Sequence, residues 1–453
     1  MEPRFKDCDR NTLFLMPPSI DDWLPEGHLA QFVVDIVSRL DLSSIENAYA
    51  GRGSEAYPPS MMTALLFYSY ATGVFSSRKI EQATYDSVAF RYVAVNTHPD
   101  HDTIATFRRR FLKQLKAVFA QILMIAHEMG VMKLGTVSLD GTKIKANASK
   151  HHALSWQYAH KLEKQLKKEI KELLHKAQKA DKEDVPEGMD IPEELARRES
   201  RLEAIAAAKV QIEQRAAERF AKEQQAYEAK LAERKAKAKS RGRKPGGRPP
   251  KPPEPGPKSK DQVNLTDSDS RIMPTSSKGF EQTYNAQATV ETDSMLIVEN
   301  HVTQQSNDKL ELAPAVAQIN SLPDNLGAVN TLLADAGYFS EENVKCCIGN
   351  HIVPYIAPDR QQHNPSLEDR FTEPDPLPAP ADSVTEMKHR LKTVTGKAVY
   401  AKRKSTVEPA FGIIKAVMGF RQFLLRGLEL VAGEWNLVCL AYNIKRLHAL
   451  GPI

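Results

Sequence analysis

Three acidic residues, far apart in the chain, each accompany an apolar segment, and this pattern constrains the fold more than any other feature. Asp140 follows Val137–Leu139, Asp335 follows Leu332–Ala334, and Glu408 lies near the start of a segment with helical character. The first two segments predict buried strands that end in an aspartate. Two strands and a helix can bring three carboxylates together, and such a group can hold a pair of divalent cations.

The spacing of apolar residues divides the 453-residue chain into segments of different kinds. Apolar residues recur at helical spacing in the first segment, and a strand follows it. A stretch rich in Ala, Glu, Lys, Gln and Arg then carries leucines and isoleucines three or four residues apart, which predicts a hairpin of two coiled-coil-like helices. The expected segments are a helical N-terminal domain over 1–130, the first strand of a catalytic core over 131–153, the helical hairpin over 154–239, a basic Pro/Gly-rich linker over 240–274, and the rest of the core with a C-terminal helix over 275–453.

The predicted strands and helices lie on both sides of the hairpin and the linker. Strands are predicted over 136–144, 283–291, 295–302, 329–335 and 352–356, and helices over 29–40, 60–72, 77–90, 103–129, 308–319, 340–349, 406–418 and 433–450, with a loop over 357–390. This order predicts a mixed α/β fold. Because the acids end the first strand and a later central strand, we expect a ribonuclease H-like core with a mixed sheet, into which the helical hairpin is inserted.

Positive charge is concentrated in one part of the chain. The net charge is +5, but residues 229–260 hold 12 Lys or Arg against 2 Glu, so the remainder carries about −5. A local cationic stretch indicates a polyanionic partner. The four cysteines lack metal-ligand spacing, which favours a reducing intracellular setting. The sequence contains neither a secretory signal nor an apolar run of about 18 residues, so we expect a cytosolic protein without a membrane partner.

A second pattern surrounds the third acid. Tyr400 and Arg403 match the spacing Y-x2-R, and Glu408 and Lys415 match E-x6-K. Together with the Asp-Ala-Gly-Tyr of the second acidic segment, these residues make the chain resemble the DDE transposases of bacterial insertion sequences, in the subgroup with the Tyr-Arg-Glu-Lys signature. Four residues separate the arginine from Glu408 where the signature has three, so either the loop holds one extra residue or Lys404 takes the place of the arginine. The resemblance covers residues 10–150, which include a helical N-terminal transposase domain, and residues 275–450.

The resemblance implies an enzyme that cuts and joins DNA. Asp140, Asp335 and Glu408 would be the catalytic acids and would hold two Mg²⁺ or Mn²⁺ ions. Water would first cleave the end of the element and leave a 3′-hydroxyl. That hydroxyl would then attack target DNA at the same site.

The resemblance also implies contacts with DNA and with a second copy of the chain. Tyr400 and Arg403 would contact the terminal phosphates. Lys415 lies two helical turns after Glu408 and would reach a phosphate of the same strand. The implied partners are double-stranded DNA, as terminal inverted repeats and as target, and a second subunit in a homodimer.

The basic segment carries two motifs that resemble AT-hook cores. Arg241 and Arg243 flank a glycine, and Arg248 lies between glycine and proline. An extended arginine of this kind fits the narrow minor groove of A·T-rich DNA. An ordinary cationic linker with non-specific attraction to phosphates is the alternative. The triplet 108–110 leaves a similar choice between a solvated helix face and a contact with DNA phosphates.

Two other classes of function remain open from the sequence. The chain could be a non-catalytic DNA-binding or scaffold protein derived from a transposase, although an intact set of three acids argues against decay. It could also be a simple metal-dependent nuclease without strand transfer. Taken singly, an aspartate at a strand end is usually a turn former and a glutamate on a helix is usually exposed, so the combination carries the prediction.

Overall fold

The computed structural model describes residues 19–49, 55–179, 191–241, 248–275, 279–359, 372–378 and 380–451, with residues 177–179, 191 and 241 described through their backbone alone. The chain forms two compact units. The first contains the residues up to Ile144 and those from Asn285 onward, and the second contains Lys145–Tyr284. Among the described residues, none of the helices is both long enough and apolar enough to cross a membrane.

The N-terminal part of the first unit is helical, as the residue pattern predicts. Its helices are α1 (Leu29–Ser38), α2 (Ser43–Glu46), α3 (Pro59–Ala71), α4 (Ser77–Asp86), α5 (Val88–Val93) and α6 (His101–Glu128). Helix α3 begins with a proline at its first position and is buried from Met61 to Ala71. It is apolar on every side because α1, α5, α6 and the C-terminal helix all pack against it.

The strands within the described residues form one mixed sheet and one short ribbon. They are β1 (Thr136–Lys145), β2 (Ala153–Ser155), β3 (Gln262–Asn264), β4 (Arg271–Pro274), β5 (Phe280–Glu291), β6 (Ile297–Thr303), β7 (Thr331–Ala334) and β8 (Val353–Ile356). In the first unit the strand order is β6-β5-β1-β7-β8. Strand β6 is antiparallel to β5, and β7 is parallel to both β1 and β8.

The second unit contains the inserted helices. Helices α7 (Trp156–Lys179) and α8 (Ile191–Arg241) pack along each other. Their predicted apolar seam forms one buried cluster, together with side chains of β2 and β3, that contains Leu154, Leu162, Leu166, Ile205, Ile212 and Val263. Burial of this seam explains why two highly charged helices remain associated.

After α8 ends, the described residues 248–260 of the basic segment run back along that helix. Arg234 Nη1 donates to the carbonyl of Arg248 at 2.9 Å, and Arg219 Nη2 donates to the carbonyl of Gly256 at 3.1 Å. Arg219 also binds both carboxylate oxygens of Asp261 at 2.8 Å. The described part of the linker is therefore extended, as its proline content predicts, and it is fixed to the helix by side chains of α8.

The remaining helices of the first unit are α9 (Leu312–Ile319), α10 (Glu341–Gly349), α11 (Ser383–Arg390), α12 (Val394–Ala401), α13 (Val407–Gly412), which continues into a π-helical turn over Ile413–Val417, and α14 (Leu428–Leu450). Helix α11 lies inside the region that was expected to be a loop, so that expectation is wrong there. The Asp382 carboxylate caps α11 by accepting from the N–H groups of Val384 and Thr385, both at 3.0 Å. Helix α14 begins five residues earlier than expected because Gly427 turns the chain at φ 82°.

This mixed α/β architecture, with its helical N-terminal part and inserted helices, confirms the predicted fold class. The strand order is consistent with a ribonuclease H-like core. Helix α14 covers β6, where the Asn443 side chain accepts from the N–H of Ile297 at 2.9 Å and donates to its carbonyl at 2.8 Å.

Buried polar groups link the N-terminal helices to α14. Arg108 donates to the Tyr70 hydroxyl at 3.0 Å and to the Phe75 carbonyl at 2.9 Å. The buried Glu434 carboxylate lies 3.3 Å from the same hydroxyl and accepts from the N–H groups of Leu424 and Leu425. Arg108 is thus a buried packing residue and not part of a solvated helix face.

Candidate active site

The two aspartates lie side by side because their strands are adjacent and parallel. The register pairs Leu139 of β1 with Ala334 of β7. Asp140 and Asp335 follow this pair in the chain, so the two aspartates are neighbours at the point where the pairing of β1 with β7 ends, although β1 itself continues to Lys145. The Asp335 carboxylate also accepts from the N–H of Gly337 at 2.8 Å and caps the short turn that follows β7.

The environment of Asp140 opposes its negative charge. Burial and the neighbouring Asp335 carboxylate raise the pKa of Asp140 from 3.8 to about 7, with a smaller contribution from Asp308. A hydrogen bond from the Gly141 N–H and the charge of Arg403 act in the opposite direction. The two carboxylates therefore form a site that a cation would stabilise.

Arg403 connects the first acid to the third. Its Nη1 lies 3.5 Å from Asp140 Oδ2, and its Nη2 lies 3.2 Å from Glu408 Oε1. The Arg403 side chain is 12% exposed, whereas that of Glu408, at the start of α13, is 52% exposed. Lys404 is exposed. The turn between α12 and α13 thus directs Arg403 toward the acids and leaves Lys404 in solvent.

The other two signature residues face β1 and β7. The Tyr400 hydroxyl donates to the carbonyl of Ala334 at 3.3 Å. The Lys415 ammonium donates to the Thr142 hydroxyl and lies 3.5 Å from the Lys143 carbonyl. Burial lowers the pKa of Lys415, and the Asp140 carboxylate partly offsets that effect. Tyr400, Arg403 and Lys415 therefore each lie within one or two contacts of an acid of the candidate site.

The donor set at these acids consists of carboxylate oxygens, which are the ligands that Mg²⁺ and Mn²⁺ prefer. Asp140 and Asp335 are the pair whose mutual repulsion a cation would relieve. Within the described residues, no three His, Cys, Asp or Glu side chains come close enough to hold a metal ion in this structure. At Glu408, the Arg403 guanidinium supplies the compensating positive charge.

A group of buried polar residues beside the acids was not anticipated from the sequence. Asn285 and Gln287 lie on one side of β5 and are fully buried. Both donate to the Asp308 carboxylate, and the Gln287 amide oxygen accepts from the Tyr338 hydroxyl. The available signal was the alternation of Asn285, Gln287 and Thr289 with Ala286, Ala288 and Val290, because polar residues at every second position share one face.

The three arginines of the motifs that resemble AT-hook cores lie in the second unit or outside the described residues. Arg241 is the last residue of α8, and its side chain is not described. Arg243 lies outside the described residues. The Arg248 side chain is exposed while its backbone carbonyl is bonded to Arg234.

Two segments of the chain match known protein families. Residues 18–110 match the family described as Transposase domain (DUF772), and residues 258–444 match the family described as Transposase DDE domain. The first match covers α1 to α5 and the start of α6, and the second contains Asp335 and Glu408. Comparisons with curated proteins and with solved structures give no match.

Proposed function

We propose that this chain, whose two family matches support a DDE transposase of an insertion sequence, cleaves DNA at the ends of its element and transfers the resulting 3′-hydroxyl to target DNA. In this proposal Asp140, Asp335 and Glu408 are the catalytic acids. The single observation that carries it is the parallel register of β1 and β7, which makes the two aspartates neighbours. The Arg403 side chain, which contacts both Asp140 and Glu408, adds the third acid to the same site.

The residues fit a divalent cofactor of the kind that the family generally requires. Asp140 and Asp335 would hold it from where the pairing of β1 with β7 ends, and Glu408 would approach from α13. Two Mg²⁺ or Mn²⁺ ions would supply the charge that activates an attacking oxygen and stabilises a leaving one. The protein itself contributes oxygen ligands that follow paired residues of two adjacent strands, β1 and β7.

The basic side chains around the acids give the site its preference for a polyanion. Arg403 and Lys415 are the two basic residues of the signature, and the charge of each interacts with that of Asp140. We propose that they bind the phosphates on either side of the bond that is cut, with Tyr400 contacting the terminal phosphate. An arginine suits this role because its planar guanidinium can hold two oxygens of one phosphate.

The second unit offers a further contact with DNA. We propose that Arg241, Arg243 and Arg248 enter the minor groove of A·T-rich DNA near the element's ends. Because each phosphate contact contributes about 0.9 to the slope of log K against log salt concentration, replacing all three arginines with Gln should reduce that slope by up to about 2.7 if each also contacts a phosphate. A matched control replaces three exposed lysines of α7, namely Lys161, Lys164 and Lys168. Equal loss of binding to A·T-rich and G·C-rich duplexes would favour an ordinary cationic linker.

The deciding experiment is cleavage of labelled DNA that carries the ends of the element which encodes this chain. Wild type should cut at the element boundary in Mg²⁺ and not in EDTA, and Asp335→Ala should bind the DNA without cutting it. Asp324→Ala, an exposed aspartate in another short turn, should cut like wild type. Binding without cutting by every variant would refute the catalytic proposal and favour a DNA-binding protein.

Strand transfer separates a transposase reaction from simple nuclease activity. A duplex with a pre-cleaved 3′-hydroxyl end should become joined to plasmid DNA in the presence of wild type and Mg²⁺. Cutting without joining would instead support a metal-dependent nuclease. In this proposal the enzyme acts in the cytosol as a homodimer, which sedimentation with and without end DNA would test.

A further inference from the structure

Asp308 is an acidic residue beside the proposed site for which the proposed reaction has no role. It opens the short turn Asp308–Leu310 between β6 and α9. Its Oδ1 accepts from Asn285 Nδ2 at 2.5 Å and from Gln287 Nε2 at 2.8 Å, and it lies 3.4 Å from Lys143 Nζ. The carboxylate is 22% exposed, so this arrangement is largely shielded from water.

Asp308 is linked through Gln287 to the turn that follows Asp335. The Gln287 side chain donates to Asp308 and accepts from the hydroxyl of Tyr338. Tyr338 is fully buried and ends the turn that begins directly after Asp335. The orientation of the Gln287 amide, and with it the position of that turn, therefore depends on the charged acceptor at Asp308.

Asp308 also packs against the main chain beside Asp140. A Cβ atom at Gly141 would lie 2.7 Å from Asp308 Oδ1 and 2.2 Å from Gln287 Nε2. This close approach is possible because residue 141 has no side chain. Asp308 thus contacts the strand that carries the first aspartate and, through Gln287, the turn that carries the second.

The second oxygen of Asp308 faces the acids. A Cβ atom at Gly337 would lie 3.8 Å from Asp308 Oδ2 and 2.9 Å from Asp335 Oδ1. Asp308 Oδ2 and Asp335 Oδ1 are therefore at most 6.7 Å apart, which is the sum of these two distances. Among the described residues, no donor lies within hydrogen-bonding distance of Oδ2, so its negative charge remains directed at the site.

We propose that Asp308 is a positioning residue for DNA cleavage, which fixes the separation of Asp140 and Asp335 and adds negative charge that attracts the divalent cation. This inference rests on the proposed function of the three acids. A purely structural role for Asp308, as an acceptor for two buried amides, makes a different prediction. It would change stability without changing cation binding or the rate of the chemical step in the folded protein.

The test compares full-length wild type with Asp308→Asn, which keeps the shape of the side chain and removes its charge. We expect the single-turnover cleavage rate to fall by about a hundredfold, which is typical of a displacement of about 1 Å at a reacting centre. The dissociation constant for end DNA should stay within about twofold. Binding of Mn²⁺ without DNA, followed by water-proton relaxation, should weaken by about tenfold because a nearby negative charge is lost.

Asp324→Asn is the matched control, because Asp324 also opens a short turn but is exposed and lies outside this network. It should retain the wild-type rate and Mn²⁺ affinity. Wild-type rate and Mn²⁺ affinity in Asp308→Asn would overturn the inference while leaving the proposed function intact. If wild type itself does not cleave DNA, the proposed function fails and the role of Asp308 in cleavage fails with it, and the Mn²⁺ measurement then decides only whether the Asp308 charge strengthens cation binding.

A second variant covers the case in which Asp308→Asn does not fold. Tyr338→Phe keeps the buried ring and removes only the hydroxyl that binds Gln287. It should lower the single-turnover rate by about tenfold at unchanged DNA affinity, since the turn after Asp335 loses one of its supports. An unchanged rate in this variant would refute the positioning role.

Discussion

The buried His301 should make the stability of the first unit depend on pH. Its Nδ1 lies 2.7 Å from Glu299 and its Nε2 lies 3.1 Å from Glu311, and all three side chains are at most 13% exposed. Burial alone would lower the pKa of His301, but the hydrogen bonds and charges of the two glutamates outweigh that effect and raise the pKa to about 9.

The sign and size of the effect follow from linkage. Because the folded-state pKa is higher than the value of 6.5 in the unfolded chain, protonation of His301 stabilises the fold. The contribution is fully present below pH 6.5 and is lost as pH rises through 9. A shift of this size corresponds to about 3 kcal/mol in the free energy of unfolding.

Urea unfolding between pH 6 and pH 10 would measure this dependence. The fluorescence of the buried Trp435 reports on the first unit if Trp23 and Trp156 are replaced by Phe. Wild type should lose about 3 kcal/mol across this range. His301→Gln should be less stable at pH 6, because Glu299 and Glu311 lose their positive partner, and should show a smaller decline as pH rises.

His127→Gln is the control, since the His127 ring lies 3.0 Å from the neutral carbonyl of Met132. It should decline with pH as wild type does. A wild-type stability that is flat between pH 6.5 and pH 9 would refute this reasoning. So would a decline of the same size in His301→Gln.

Three further substitutions test packing at the candidate site, between the N-terminal helices and α14, and between the inserted helices α7 and α8. Gly141→Ala should abolish DNA cleavage, because its Cβ would lie 2.2 Å from the Gln287 side chain, whereas Gly135→Ala meets nothing within 4 Å and should cleave normally. Glu434→Leu should lower the free energy of unfolding by about 3 kcal/mol in urea denaturation, because it leaves buried donors without their acceptor. Leu166→Ala should destabilise the second unit by about 2–5 kcal/mol, and hydrogen exchange should show the loss in α7 and α8.

The sequence predicted the parts of the site that depend on local pattern. An apolar run followed by an aspartate indicates a buried strand beside an acid, and this pattern led us to propose Asp140 and Asp335. Strand β7 ends before Asp335 as predicted, but β1 continues past Asp140 to Lys145. That they are neighbours depends on the parallel pairing of β1 with β7, nearly 200 residues away in the chain. Periodicity indicates which residues are buried, but it does not determine which strands pair.

Long-range contacts between polar residues could not be predicted in the same way. Asp308 follows a strand and precedes a helix, which is the ordinary position of a helix-capping residue. Its partners on β1 and β5 are instead set by how the sheet is assembled. The same limit applies to Arg108, whose basic neighbours suggested a charged surface, whereas its partner Tyr70 belongs to a different helix.

Arg403 illustrates how geometry bears on a choice that spacing left open. The spacing to Glu408 fits Lys404, whereas the spacing to Tyr400 and the residue type fit Arg403, which was therefore the residue expected to contact DNA. A helix ends at Ala401 and the next begins at Val407, and the intervening turn leaves Lys404 exposed while Arg403 contacts two acids. Since a guanidinium can bind two carboxylates at once and an ammonium is better stabilised by water, the arginine is the side chain that this half-buried position can accommodate.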